Sequence, residues 1–240
     1  RQRQMCIRDS YFGTDKLGRD LFTRVLYGAR VSLTMTLFVV VLIAGLGTLI
    51  GVISAYVGGK VDTVIMRLAD IFLAFPGIVL AIAIAGVLGG SAVNAVLALV
   101  VVGWTKYARL ARSLTLKVKQ QDYLAAAITN GTRQADMIRR HILPNILPII
   151  IVTAALDIGA LMMELAGLSF LGFGAQPPTP EWGLMLNEGR QLIQTAPWLM
   201  IFPGLAIASV VAIFNLWGDS LRDMICLLYT SPSPRDRQKS

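Results

Sequence analysis

Two carboxylates, Asp157 and Glu164, lie within an otherwise strongly apolar stretch of the chain. Seven residues separate them, which is about two turns of an α-helix, so both side chains fall on the same face. An ionisable group inside an apolar membrane helix is costly and marks either a pathway or a paired structural role. We therefore expect these residues either to line a translocation pathway or to make a structural or subunit contact.

The sequence shows no arrangement that would support catalysis or metal binding. Its single histidine, His141, follows Arg139 and Arg140 and has no carboxylate at metal-ligand spacing. There is no GxxxxGK[ST] phosphate loop, no HExxH motif and no Ser/His/Asp or Cys/His constellation. We expect a protein that is not an enzyme and holds no cofactor, so any ATP must be bound by a partner.

A charged stretch at 122–145 has the features of a docking surface. Asp122 can cap a short helix, and Gly131 follows Asn130 as a C-terminal stop. Three consecutive residues inside this helix favour it strongly, namely Ala125, Ala126 and Ala127. A second short helix is predicted over 133–141, ending as Pro144 approaches. An ordered helix–Gly–helix element of this kind is typical of a surface that binds another protein.

The composition indicates that membrane helices position these residues. Of 240 residues, 55% are hydrophobic and only 15% are charged, whereas soluble domains devote about a quarter to charged residues. Five segments approach the length of a membrane span, namely 31–57, 68–89, 91–111, 146–171 and 196–217. The sequence predicts an all-α polytopic transmembrane bundle, in which Gly47 and Gly51 favour close packing on a partner helix.

Basic residues predict the orientation of the bundle. The segment 105–142 holds eight Lys and Arg residues against two Asp residues, so it faces the cytoplasm. Alternation then puts 11–30 and 172–195 outside, and a sixth, N-terminal span is expected upstream of residue 11. Of the formal charge of +8, +2 lies in 1–10 and +2 in 226–240. The remaining +4 lies in 11–225, mainly in membrane-flanking segments, and no nucleic-acid partner is expected.

The two ends differ in character from the rest of the chain. RQRQMCIRDS at 1–10 and CLLYTSPSPRDRQKS at 226–240 resemble translated sequencing adapters and contain both cysteines, Cys6 and Cys226. The alternative is a basic N-terminal arm and a Pro/Ser-rich tail. We expect one transmembrane permease domain over 11–225, flanked by two foreign segments.

The docking stretch resembles the cytoplasmic loop of ABC importer permeases. The family pattern is Glu-Ala-Ala, three residues, Gly and then a later Leu-Pro. It is matched here by Ala125-Ala126-Ala127, Gly131, Leu143 and Pro144, with Ala125 in place of glutamate. In that family the loop inserts into a cleft of an ATPase subunit, so the resemblance implies an ATPase-coupling role for these residues.

Further stretches resemble the dipeptide, oligopeptide and nickel importer type, including YFGTDKLGRDLFTRVLYGARVSL and LSFLGFGAQPPTPEWGLMLNEGR. The resemblance implies half of a translocation pathway for peptides or a small solute such as nickel. It implies as partners two cytoplasmic ATP-binding subunits, a second permease and an external solute-binding protein, in the inner membrane of a bacterium or archaeon. The outer loop around Pro177 and Trp182 would then contact the binding protein or act only as a lid.

Two other classes of protein fit the composition. A gradient-driven secondary transporter or channel would be expected to show internal repeats with broken helices, and the sequence shows no repeat. A membrane-embedded enzyme would need a set of catalytic residues, and the sequence shows none.

A further local prediction is an ion pair between Arg67 and Asp70, which stand three residues apart.

Overall fold

The computed structural model describes residues 12–124 and 132–230, with the side chains of the last helix described as far as residue 224. The named elements of this part of the chain are helices: α1 (Leu21–Val57), α2 (Gly59–Leu73), α3 (Gly77–Leu88), α4 (Ala92–Lys119), α5 (Leu143–Phe170), α6 (Trp182–Gly189) and α7 (Trp198–Thr230). The predicted all-α class is confirmed.

Four helical stretches are long and apolar enough to cross a membrane, and the bent pair α2–α3 brings the number to five. The second predicted span, 68–89, is not one straight helix, because α2 and α3 meet at an angle of 89°. Pro76 explains the break, since it has no N–H and disfavours helical geometry at Phe75. Its carbonyl accepts from Val79 and Leu80 and so starts α3.

The predicted short helix over 133–141 is helical in the structure, but it is not a separate helix. A turn at Gln134–Asp136 and a π-helical segment at Met137–Ile142 run directly into α5. In the π-helical segment the Leu143 N–H donates to the Ile138 carbonyl, five residues back. This wider turn accommodates Pro144, which has no N–H to bond four residues back. Residues 134–142 and the membrane helix α5 therefore form one continuous rod.

The core of the bundle is the contact between α1 and α4. A Cβ on Gly47 would lie 2.5 Å from the Trp104 carbonyl oxygen, and one on Gly51 would collide with the Ala108 carbonyl. The absence of side chains at both positions lets the two backbones meet, as the GxxxG spacing predicts. This close approach brings the polar side chains of α4 within reach of the neighbouring helices.

An ion cluster holds the outer ends together. The Asp15 carboxylate accepts from Arg19 Nε at 2.6 Å and from Arg24 Nη1 at 2.8 Å. The same Arg24 nitrogen donates to Glu188 at 2.8 Å. The segment before α1 is thereby joined to α6, and the two segments predicted to lie outside the membrane do share one end of the bundle.

The loop before α6 closes on α1 through a second polar contact. Glu181 is 1% exposed, and its carboxylate caps α6 by accepting from the N–H groups of Gly183 and Leu184 at 2.9 and 2.8 Å. Ser32 on α1 donates to it at 3.2 Å, and the Trp182 indole donates to the Val25 carbonyl at 2.9 Å. The outer loop is therefore an ordered part of the bundle.

Substitution of Gly51 tests the α1–α4 contact. Gly51→Ala should destabilise the protein by about 1–3 kcal/mol, because the added methyl group overpacks the helix crossing. Gly45→Ala is the matched control, since a Cβ there meets nothing within 4 Å. Thermal unfolding in detergent should show a lower Tm for Gly51→Ala and an equal or higher Tm for the control. Equal Tm values would contradict the close approach.

The outer ion cluster predicts a pH dependence. Burial alone would raise the Asp15 pKa, but hydrogen bonds from Arg19 and Leu17 hold it below its usual 3.8. A carboxyl with a lowered folded pKa stabilises the fold above its unfolded pKa, and this contribution is lost as the pH falls through the folded pKa.

Asp15→Asn should therefore cost on the order of 2 kcal/mol at pH 7, and its Tm deficit should shrink as the pH falls below about 4. Lys16→Gln, an exposed neighbour, is the control and should be neutral. A deficit that does not change with pH would show that the Asp15 charge makes no contribution.

Candidate functional site

A cavity lined by charged side chains lies where α4 and α5 meet the bend between α2 and α3. It has a volume of about 200 Å³, and Leu73 and Gly77 form its wall on the side of the bend. Three charged side chains also line it, namely Lys106, Asp157 and Glu164. The structure thus brings the two predicted carboxylates into one cavity and adds a cation that the sequence analysis did not connect to them.

Of the two carboxylates that line this cavity, Asp157 is the one that accepts hydrogen bonds from the described residues. Lys106 Nζ donates to its two carboxylate oxygens at 2.6 and 2.7 Å, and the Tyr107 hydroxyl donates to one of them at 2.8 Å. Lys106 and Asp157 each lie halfway along their helices, α4 and α5. The pair therefore joins the middle of α4 to the middle of α5, and neither charge is left unpaired.

Glu164 differs from Asp157 in its partners. It lies two turns further toward the outer end of α5 and is half-buried on the cavity wall. Among the described residues its carboxylate has no hydrogen bond and no ion pair. The cavity therefore contains two carboxylates and one cation, and the cation binds Asp157.

Two more cations on the same face of α4 pair with α2. Arg109 binds Asp70, and Arg112 binds Asp62 through two hydrogen bonds of 2.6 and 2.5 Å. The predicted Arg67–Asp70 pair is therefore wrong, because Asp70 pairs across to α4. Lys106, Arg109 and Arg112 were predicted to lie in a cytoplasmic loop, and α4 includes all three because it continues to Lys119.

The docking stretch is described only at its two ends. Asp122 is exposed at the start of a helical turn, Leu143 is half-buried and Pro144 is exposed. Four of the predicted coupling residues lie outside the described residues, namely Ala125, Ala126, Ala127 and Gly131.

The two described ends of this stretch meet each other. The rings of Tyr123 and His141 have their centroids 6.4 Å apart, and the Asn145 side-chain amide donates to the Tyr123 hydroxyl at 3.2 Å. The described ends of the docking stretch therefore pack together at the start of α5.

The sequence analysis missed Lys106 and Tyr107 as partners of Asp157. One signal was available, because a lysine within the apolar segment 91–111 needs an acidic partner on another helix. Within the described ranges, no three His, Cys, Asp or Glu side chains lie close enough together to hold a metal ion.

The chain was compared with known proteins. Residues 47–225 match the family described as binding-protein-dependent transport system inner membrane component. The chain is 47% identical over 217 residues to the dipeptide transport system permease protein DppC of Alkalihalophilus pseudofirmus, covering 90% of this chain and 71% of the relative. It is 46% identical to the glutathione transport system permease protein GsiD of Escherichia coli, with the same two coverages. The probable D,D-dipeptide transport system permease protein DdpC of Escherichia coli K12 is 45% identical, with coverages of 90% and 72%.

Solved structures support the same fold. A chain of the MetNI methionine ABC transporter in an inward-facing conformation aligns with a TM-score of 0.66 at 19% identity, covering 84% of this chain and 96% of that one. An amino acid ABC transporter chain aligns with a TM-score of 0.54 at 20% identity, covering 85% and 93%. The helix arrangement, the family match and the near relatives lead to one conclusion: this chain belongs to the binding-protein-dependent inner membrane components and is a multi-pass permease subunit of an ABC importer.

Proposed function

We propose that this subunit forms half of the pathway of an ATP-driven importer for short peptides in the bacterial cytoplasmic membrane. The observation that carries this proposal is the identity of 44–47% to permeases named for dipeptide, D,D-dipeptide and glutathione transport. Glutathione is itself a tripeptide, so these named solutes share the chemistry of short peptides. Nickel, the other solute considered from the sequence, is not named among these relatives.

The proposed assembly follows the family. A second homologous permease would complete the pathway, two cytoplasmic ATP-binding subunits would hydrolyse ATP, and an external binding protein would deliver the solute. The ATPases would dock on the stretch comprising Asp122, Ala125, Ala126, Ala127, Gly131, Leu143 and Pro144. This subunit would itself perform no chemistry. We also propose that the permease domain comprises 11–225, in keeping with a family match that ends at residue 225.

Coupling would run along α5. The helical path is continuous from Gln134 to Phe170, so a displacement at the docking stretch reaches Asp157 without passing through a loop. Asp157 is bonded to Lys106 on α4, and the cavity beside this pair is the proposed pathway. ATP-driven closure of the ATPases would then change the angle between α4 and α5 and alternate the access to the cavity.

Reconstituted uptake tests the function. The complete complex in proteoliposomes, with its binding protein, should accumulate labelled alanyl-alanine only when ATP is supplied to the ATPase side. Ionophores that collapse proton and sodium gradients should leave this uptake unchanged. Uptake that ionophores abolish and ATP does not drive would instead support a gradient-driven transporter, and ATP-driven uptake of other solutes alone would refute the peptide assignment.

Copurification tests the docking stretch. Gly131→Pro should release the ATPase subunits from the purified permease, because a proline interrupts the helix–Gly–helix element without changing a span. Thr179→Ala in the outer loop is the control and should retain them, since that loop lies at the opposite end of the bundle. ATPase retention in both variants would show that the stretch does not hold the partner.

A further inference from the structure

We propose that Glu164 is the residue of the pathway that binds the α-ammonium group of a passing peptide. This inference rests on the proposed function, and it names a residue and a chemical group for solute recognition within the membrane. It is drawn from the charge balance, the position and the accessibility of the side chains that line the cavity between α4 and α5.

The charge balance of the cavity favours a cation. Lys106 and Asp157 neutralise each other through two short hydrogen bonds of 2.6 and 2.7 Å. The Tyr107 hydroxyl gives Asp157 a third donor at 2.8 Å. None of the described residues donates a hydrogen bond to the Glu164 carboxylate, although Glu164 lies in the same cavity wall. A carboxylate without donors in an apolar bundle has a large desolvation cost, which a bound ammonium group would offset.

Exposure indicates that this cavity opens toward a pathway. The Lys106 side chain remains 57% exposed, at the point of α4 where its apolar half ends and its basic half begins. A lysine facing hydrocarbon would be costly, so the exposed side of Lys106 must face water or protein. By contrast, the most hydrophobic part of α7 is only 17% buried and exposes apolar side chains such as Ile213 and Leu216. The surface at Lys106 is therefore distinct from the apolar surface of α7, and only the surface at Lys106 suits a charged solute.

The geometry of α5 suits an amino group better than a whole zwitterion. Glu164 lies two turns from Asp157, a distance of about 10 Å along the helix. Lys106 is already engaged by Asp157, so the solute carboxylate has no free cation in this cavity. The cavity volume of about 200 Å³ is comparable with six or seven water molecules at about 30 Å³ each, which leaves room for the N-terminal part of a peptide. Recognition would therefore depend on the ammonium group and not on the carboxyl terminus.

Equilibrium binding tests this proposal. The complete complex, in nanodiscs and without the external binding protein, is titrated with labelled alanyl-alanine. Competition follows with alanyl-alanine amide, which keeps the ammonium group, and with N-acetyl-alanyl-alanine, which lacks it. The amide should compete about as well as the dipeptide, and the acetylated peptide should compete about tenfold more weakly, as expected for the loss of one charged hydrogen bond.

Three variants complete the experiment. Glu164→Gln should weaken alanyl-alanine binding about tenfold and abolish the discrimination against the acetylated peptide. Glu164→Asp keeps the charge and should retain that discrimination, which a purely structural role would not predict. Asp219→Asn, an exposed carboxylate on α7, is the control and should bind like the wild type.

Each adverse outcome overturns the proposal. These outcomes are equal competition by the acetylated peptide in the wild type, unchanged binding and discrimination in Glu164→Gln, or no peptide binding by the wild-type complex. None of them affects the assignment of the importer, which depends on ATP-driven uptake with the binding protein present. If that uptake fails for peptides, the proposed function fails first, whatever Glu164 binds.

Discussion

The bundle depends on how it accommodates charge. A cation or a carboxylate within an apolar helix is stable only where an opposite charge and hydrogen-bond donors meet it. Helix α4 carries three cations at intervals of three residues, Lys106, Arg109 and Arg112, and each reaches a carboxylate on another helix. These pairs fix α4 to α5 on one side and to α2 on the other. They also limit how far the helices can rotate without leaving a charge unpaired.

The ion pairs in turn require close packing of the backbones. Gly47 and Gly51 let α1 approach α4 more closely than any side chain would allow. At the C-terminal end of α1, Lys119 Nζ donates to the Ala55 carbonyl at 3.0 Å, near the negative end of the α1 dipole. Ser54 on α1 donates to Asp62 at 2.5 Å and orients the carboxylate that Arg112 binds. Helices α1, α2 and α4 therefore form one polar-bonded unit.

Much of the fold was accessible from the sequence, because long apolar segments leave few alternatives to membrane helices. The apolar spans, the all-α class and the close helix packing at Gly51 follow from composition and small-residue spacing, whereas the identity of the partner helix, α4, does not. The break at Pro76 was missed because an apolar window cannot distinguish a straight helix from two helices bent at a proline. Asp157 and Glu164 were identified, but the identity of the partner, Lys106, depends on how α4 and α5 cross. That crossing is set by packing between distant segments and leaves no local pattern in the sequence.

The two ends of α5 are held very differently, and this asymmetry bears on coupling. At the outer end, the Asn187 side chain donates to the Phe170 carbonyl, and Gly183 of α6 packs on the backbone of Ala166 with no room for a side chain. At the other end, α5 is preceded by a π-helical segment that is part of the docking stretch. A rod fixed at one end and displaced at the other moves by an intermediate amount at its middle, where Asp157 lies. Motion imposed at the docking stretch must therefore strain or shift the Lys106–Asp157 pair, whereas Glu164, closer to the fixed end, would move less and remain in place to bind a solute.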